Sequence, residues 1–120
     1  MPKKKILVAD DEADIRQLLQ KALGRDYVVI EAEDGIEAVN MANAEKPDLI
    51  LLDIMMPRQD GYKTCIKVKA SEATKNIPVV MLTGVDYELN RKLGEQLGAA
   101  AYITKPFQID ILKDTIRRLL

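Results

Sequence analysis

The sequence predicts an α/β fold: one domain on an open, parallel, five-stranded sheet, each strand followed by a helix and both faces covered. Three observations carry this. Short apolar runs alternate with segments of helical periodicity along the whole chain, the pattern of repeated βα units. The runs are nearly continuous rather than alternating, as in strands buried on both faces. At 120 residues the chain can build one substantial core but not two.

Ile6-Leu7-Val8-Ala9 reads as the first strand. Ile15, Leu18, Leu19, Ala22 and Leu23 follow at helical spacing, and Gly24 stops that helix. Tyr27-Val28-Val29-Ile30 is the second strand, after which Asp34-Gly35 turns into a helix carrying Ala38, Val39 and Ala42, ended by Pro47. Leu49 to Leu52 is the third strand, closed by Asp53, and Gly61 to Ala70 is helical around Cys65, Ile66 and Val68. The fourth strand is Pro78 to Leu82, proline being tolerated at a first strand position. A helix is expected from about Asp86 to Leu97, ending at Gly98, and Ala100 to Ile103 is a short fifth strand. The last helix carries Ile109, Leu112, Ile116 and Leu119 on one stripe. Leu119-Leu120 has no capping signal, which suggests a chain that continues.

Composition narrows the chemistry. The apolar and charged fractions, 48% and 31%, are those of an ordinary globular protein, which excludes disorder. A net charge of −1 gives no basis for direct nucleic-acid binding, and Lys3-Lys4-Lys5 reads as a solvated lead-in to the first strand. No apolar stretch approaches membrane-spanning length and no signal-peptide pattern precedes Ile6. A single cysteine, Cys65, precludes an internal disulfide, fits a cytoplasmic setting and is expected to be a buried small hydrophobe. The chain has no histidine, which removes Ser-His-Asp and Cys-His nucleophilic systems, His-bearing zinc sites and a phosphohistidine of its own.

Right-handed crossovers place all strand-to-helix loops at one sheet edge, where ligands of such sheets bind. Asp10, Asp11, Asp53, Thr83 and Lys105 all fall there. Carboxylates gathered in one shallow site repel unless a cation stands between them, and an oxygen-only donor set suits Mg²⁺, or Mn²⁺ in its place. A carboxylate is also a competent nucleophile for a phosphoryl group, with lysine and hydroxyl groups to bind the phosphoryl oxygens. Asp53, alone at the end of an apolar strand, suits that role, and Asp10 and Asp11 suit metal binding. Each residue has a plainer alternative: a helix cap for Asp10 or Asp11, a strand-end carboxylate for Asp53, a turn for Thr83-Gly84, a surface lysine for Lys105.

Val8-Ala9-Asp10-Asp11-Glu12, Leu52-Asp53-Ile54-Met55-Met56-Pro57 with Asp60-Gly61, Met81-Leu82-Thr83-Gly84, and Gly98-Ala99 through Tyr102-Ile103-Thr104-Lys105-Pro106-Phe107 together resemble the receiver domain of bacterial two-component response regulators, over essentially residues 1–120. The resemblance implies a doubly wound, flavodoxin-like sheet of order 2-1-3-4-5 with five flanking helices. It implies that Asp53 accepts a phosphoryl group from a phosphohistidine of a sensor histidine kinase or phosphotransfer protein. Asp10, Asp11, Asp53 and the Met55 backbone carbonyl would hold Mg²⁺. Thr83, Gly84 and Lys105 would border the phosphoryl group, Tyr102 would follow Thr83 as a switch, and the Lys105–Pro106 peptide would be cis. Phosphorylation would shift the surface of the fourth predicted helix, the fifth strand and the last helix toward its active form, read by a target protein or a separate effector domain.

Four positions depart from common versions of the pattern. Met55 and Val85 stand where some members carry groups that orient an attacking water, Gly84 replaces a more usual alanine, and Gln59 is unusual without suggesting a role. Other functions fit less well. An aspartate-nucleophile phosphatase needs a second aspartate where Met55 stands, and a flavin carrier needs a Ser/Thr/Gly-rich phosphate loop where Asp10-Asp11-Glu12 stands. A phosphorylation-independent binding module of the same shape is the remaining alternative.

Overall fold

A computed structural model describes residues 3–56, 58–84, 92 and 96–120. Five parallel strands, β1 (Lys5–Ala9), β2 (Val28–Ala32), β3 (Leu49–Asp53), β4 (Val79–Thr83) and β5 (Ala101–Thr104), form one sheet of order β2-β1-β3-β4-β5. Four helices are laid out among the described residues: α1 (Ala13–Leu23), α2 (Gly35–Glu45), α3 (Gly61–Ala70) and α4 (Ile109–Leu119). The helix expected over 86–97 lies mostly outside the described residues, of which Lys92, Gln96 and Leu97 are helical. Strand ends differ from the expected ones by a residue or two, most of them toward the carboxyl side.

The sheet divides the core by residue parity. Leu7, Ala9, Ile50, Leu52, Val79 and Met81 face α2 and α3, where Ala38, Ala42, Cys65 and Val68 meet them. Ile6, Val8, Leu49, Leu51, Val80 and Leu82 face the other way, onto Leu19 and Leu23 of α1 and Leu112 and Ile116 of α4. Every residue of β3 and β4 is buried, which accounts for their unbroken apolar runs. At about 1.5–3 kcal/mol per large buried side chain, this two-sided packing holds the central strands in place. The edge strands β2 and β5 are only partly buried. Leu18 of the expected α1 stripe is 44% exposed, so that stripe is narrower than its spacing implies.

Helix starts follow local chemistry. Asp34 caps α2 by accepting from the Glu37 N–H at 2.9 Å, and Asp60 caps α3 by accepting from Lys63 N–H at 2.9 Å. Neither Asp10 nor Asp11 caps α1; Glu12 holds the cap position without a side-chain bond. Of the lysine lead-in, Lys5 is the first residue of β1 and its Nζ lies 3.0 Å from Glu45 Oε1. No helix among the described residues is long and apolar enough to cross a membrane.

Candidate functional site

The parallel register sets the site. Ala9 pairs with Leu52, and Asp53 pairs with Leu82 one residue before Thr83. Adjacent strands therefore deliver Asp10, Asp53 and Thr83 to the same edge, and β5 ends on Thr104, just before Lys105. The Lys105 N–H donates to the Thr83 carbonyl at 2.7 Å, and the Lys105–Pro106 peptide is cis.

Lys105 ties the acids together. Its ammonium donates to Asp10 Oδ2 at 2.9 Å, stands 3.4 Å from Asp53 Oδ1 and reaches Glu12 Oε1 at 3.9 Å. Asp10 is fully buried and Asp53 nearly so, and two buried carboxylates side by side need such a cation. Burial and then the Asp10 charge push the Asp53 carboxyl up to about 6, against the pull of Lys105 and the Met55 N–H. Burial disfavours the Lys105 ammonium, but its contacts with Asp10 and Asp53 outweigh that and hold it above its ordinary value.

The carboxylates of Asp10, Asp11 and Glu12 lie within 4.8 Å of one another, close enough to share an ion. Asp10 is buried and the other two are exposed, so the group opens to solvent on one side. Its oxygen-only donors fit a hard divalent cation and suit soft metals poorly. Asp53 joins this group through Lys105. An open cleft of about 370 Å³ is lined by Asp11, Glu12, Asp53, Met55, Gly84 and Lys105, wide enough for a phosphoryl group. Thr83 is buried beside it, whereas Met55 points outward at 67% exposure. Tyr102, half-buried on β5, packs against the Leu7–Met81 side of the core.

The loop after Asp53 is tightly built. The Gly61 N–H donates to the Ile54 carbonyl at 2.9 Å, bringing the start of α3 against the end of β3. A Cβ on Gly61 would stand 2.5 Å from the Asp53 carbonyl oxygen and 2.7 Å from Ile54 Cα, so only glycine allows this approach. Farther along, Arg58 pairs with the buried Asp34. The Glu37 N–H holds the Asp34 carboxyl below the usual range, burial opposes this, and Arg58 adds to the lowering. Gln59, also buried, donates to the Gly35 carbonyl at 2.9 Å and to Thr64 Oγ1 at 3.2 Å.

Three residues near the site were not singled out as site residues from the sequence. Glu12 belongs to the acidic group; its adjacency to Asp10-Asp11 was the available signal. Gln59 anchors the loop that carries Met55, and Arg16 of α1 donates to the Asp10 carbonyl at 2.8 Å. Arg16 has no local signal beyond standing next to the apolar Ile15, and Gln59, set between Arg58 and Asp60, shows only an unusual residue type for its place in the motif.

Residues 6–117 match the family model described as the response regulator receiver domain. The chain is 50% identical over 105 residues to the alkaline phosphatase synthesis transcriptional regulatory protein PhoP of Bacillus subtilis (strain 168), covering 87% of this chain and 43% of that protein. It spans less than half the length of the curated relatives it matches. Among solved structures, the chemotaxis protein CheY4 of Vibrio cholerae has a TM-score of 0.92 at 32% identity, with 98% of this chain and 99% of that one covered. The receiver domain of sensor histidine kinase PA1611 from Pseudomonas aeruginosa PAO1 has a TM-score of 0.90 at 29% identity, covering 98% and 97%, and was solved with a magnesium ion coordinated in its active site cleft.

Proposed function

The chain belongs to the response regulator receiver domain family, and on that premise we propose that Asp53 is its phosphoacceptor and that residues 1–120 act as one phosphorylation-controlled switch. Receiver domains are signalling modules of two-component systems rather than classical enzymes; they work with sensor histidine kinases and effector domains, and generally bind Mg²⁺ at an acidic cluster. The observation that carries the reading is the position of Asp53. It closes the otherwise apolar central strand, lines the open cleft and lies 3.4 Å from Lys105.

In this reading a carboxylate oxygen of Asp53 attacks the phosphorus of a donor phosphohistidine, forming a P–O bond as the P–N bond breaks. The donor histidine must come from another protein, since this chain has none. A carboxyl with a pKa of about 6 is mostly ionised at neutral pH and so available as the nucleophile. Lys105 and Thr83 bind the transferred phosphoryl oxygens, and Gly84 leaves room beside them. Asp10, Asp11, Asp53 and the Met55 carbonyl hold Mg²⁺, with Glu12 as a further carboxylate at the group. The ion supplies charge neutralisation for the phosphoryl oxygens. Tyr102 follows Thr83, and the change is read at the surface of β5, α4 and residues 86–97 by a target protein or an effector domain.

The test is Mg²⁺-dependent phosphorylation by a small phosphodonor, read by intact mass, on wild type and Asp53→Asn. One phosphate adduct that requires Mg²⁺ and disappears in the variant supports the reading. A folded protein that takes no phosphate from small donors or from phosphorylated kinases would point instead to the phosphorylation-independent binding module.

A further inference from the structure

We propose that Arg16 is a positioning residue for metal binding: from α1 it fixes the turn that presents Asp10, Asp11 and Glu12. The proposal rests on reading that turn as the metal-binding end of the site. The Arg16 side chain is only 12% exposed, uncommon for arginine, which is rarely buried unless paired. Its Nη1 donates to the Asp10 carbonyl at 2.8 Å, its Nε donates to Glu31 Oε1 at 3.0 Å, and its Nη2 stands 3.8 Å from Glu33 Oε1. Gln20, one turn along α1, donates to the Val29 carbonyl at 3.0 Å and to Glu31 Oε2 at 3.3 Å. Glu31 is thereby held from both sides and holds the guanidinium in turn.

The arrangement separates two tasks that a cation beside an acidic group could perform. Lys105 meets the site carboxylates directly and balances their charge. Arg16 has its charge met by Glu31 and Glu33 on the β2 side, so toward the site it acts as a directed hydrogen-bond donor. It completes the restraint of Asp10, whose N–H donates to the Ala32 carbonyl at 3.1 Å, whose Oδ1 accepts from Glu12 N–H at 2.9 Å and whose Oδ2 accepts from Lys105. Three carboxylates within 4.8 Å repel one another, and a turn gripped at its backbone resists spreading. Groups that orient metal ligands in this way change metal affinity by about 10- to 100-fold when removed.

Charge and position predict opposite signs. If Arg16 acted only through its field, removing it would tighten a cation in the acidic group. If it positions the turn, removing it weakens the cation. Mg²⁺ is titrated by calorimetry into the full chain as wild type, Arg16→Met and Arg16→Lys, each with its folded fraction measured by circular dichroism. Methionine keeps much of the apolar stem while deleting the donors. Arg16→Met is expected to weaken Mg²⁺ about tenfold, with partial recovery in Arg16→Lys. At saturating Mg²⁺ its phosphorylation rate should return close to wild type, so that only the Mg²⁺ midpoint moves. A folded Arg16→Met that binds Mg²⁺ as tightly as wild type, or more tightly, overturns the proposal. Should Arg16→Met not fold, Arg16→Lys decides, since it keeps the charge and loses the guanidinium fork: weaker Mg²⁺ binding than wild type supports the proposal and unchanged binding overturns it. A wild type that binds no Mg²⁺ removes the metal reading itself, and this proposal with it.

Discussion

Replacing Asp53 by asparagine should stabilise the fold at neutral pH in Mg²⁺-free buffer and lose that advantage in acid. The wild-type carboxyl is buried at the end of β3 beside Asp10, which raises its pKa from 3.8 to about 6. A carboxyl with a raised folded-state pKa binds its proton more tightly folded than unfolded. It therefore favours folding below about pH 3.8, and that contribution is lost as the pH climbs through about 6. At about 1.4 kcal/mol per pH unit, the rise costs the wild type about 3 kcal/mol at pH values above this window. Asparagine has nearly the shape of the protonated acid and does not ionise, so Asp53→Asn should recover about that amount. Against a total stability of about 5–15 kcal/mol for a domain, the gain should be plain in urea unfolding. With chelator present, the stability difference between variant and wild type should be about 3 kcal/mol near pH 7.5 and shrink toward zero below about pH 4. Saturating Mg²⁺ should close most of the gap, since binding at a hundredfold excess over Kd adds about 2.7 kcal/mol to the folded wild type. A variant no more stable than wild type near pH 7.5, or a gap that does not change with pH, would refute the electrostatic reasoning.

Three further outcomes are expected. Gly61→Ala should cost several kcal/mol or displace the loop (about 4 kcal/mol is already exceptional for one substitution), because its Cβ meets the Asp53 carbonyl at 2.5 Å; Gly84→Ala, whose nearest neighbour would be Lys105 Cβ at 3.8 Å, should stay within about 1 kcal/mol of wild type. Thermal melts of both would expose an error if the two behaved alike. Gln59→Ala should lose about 1–3 kcal/mol in urea unfolding, since the buried Gly35 carbonyl loses a donor; an unchanged midpoint would mean that water replaces the amide. Phosphorylated Asp53 should hydrolyse slowly in kinase-free buffer, because the exposed Met55 thioether cannot orient an attacking water; loss of the phosphate within seconds by intact mass would contradict this.

Much of the fold was legible because burial on both faces writes itself into consecutive residues. Leu49-Ile50-Leu51-Leu52 announces a central strand on its own, and Asp34-Gly35 announces the start of α2, where Asp34 caps the helix. The carboxyl-edge address of Asp10, Asp53, Thr83 and Lys105 follows from the same runs, since the first three directly follow one and Lys105 comes two residues after the last. Strand ends were less legible: β4 extends to Thr83 and β5 to Thr104 because those residues pair with each other, and a pairing partner lies far along the chain. The strand order has the same character; the motifs suggested it through resemblance, and only the paired backbone sets it. Arg16, Glu31 and Gln59 mark the limit of the sequence. Each is a polar residue whose local surroundings are uninformative, and its role is defined by a carbonyl or carboxylate brought near by the fold. Patterns of burial are periodic along one chain segment, so the sequence alone determines them; hydrogen bonds between segments depend on ångström-scale geometry, and only the tertiary structure decides them.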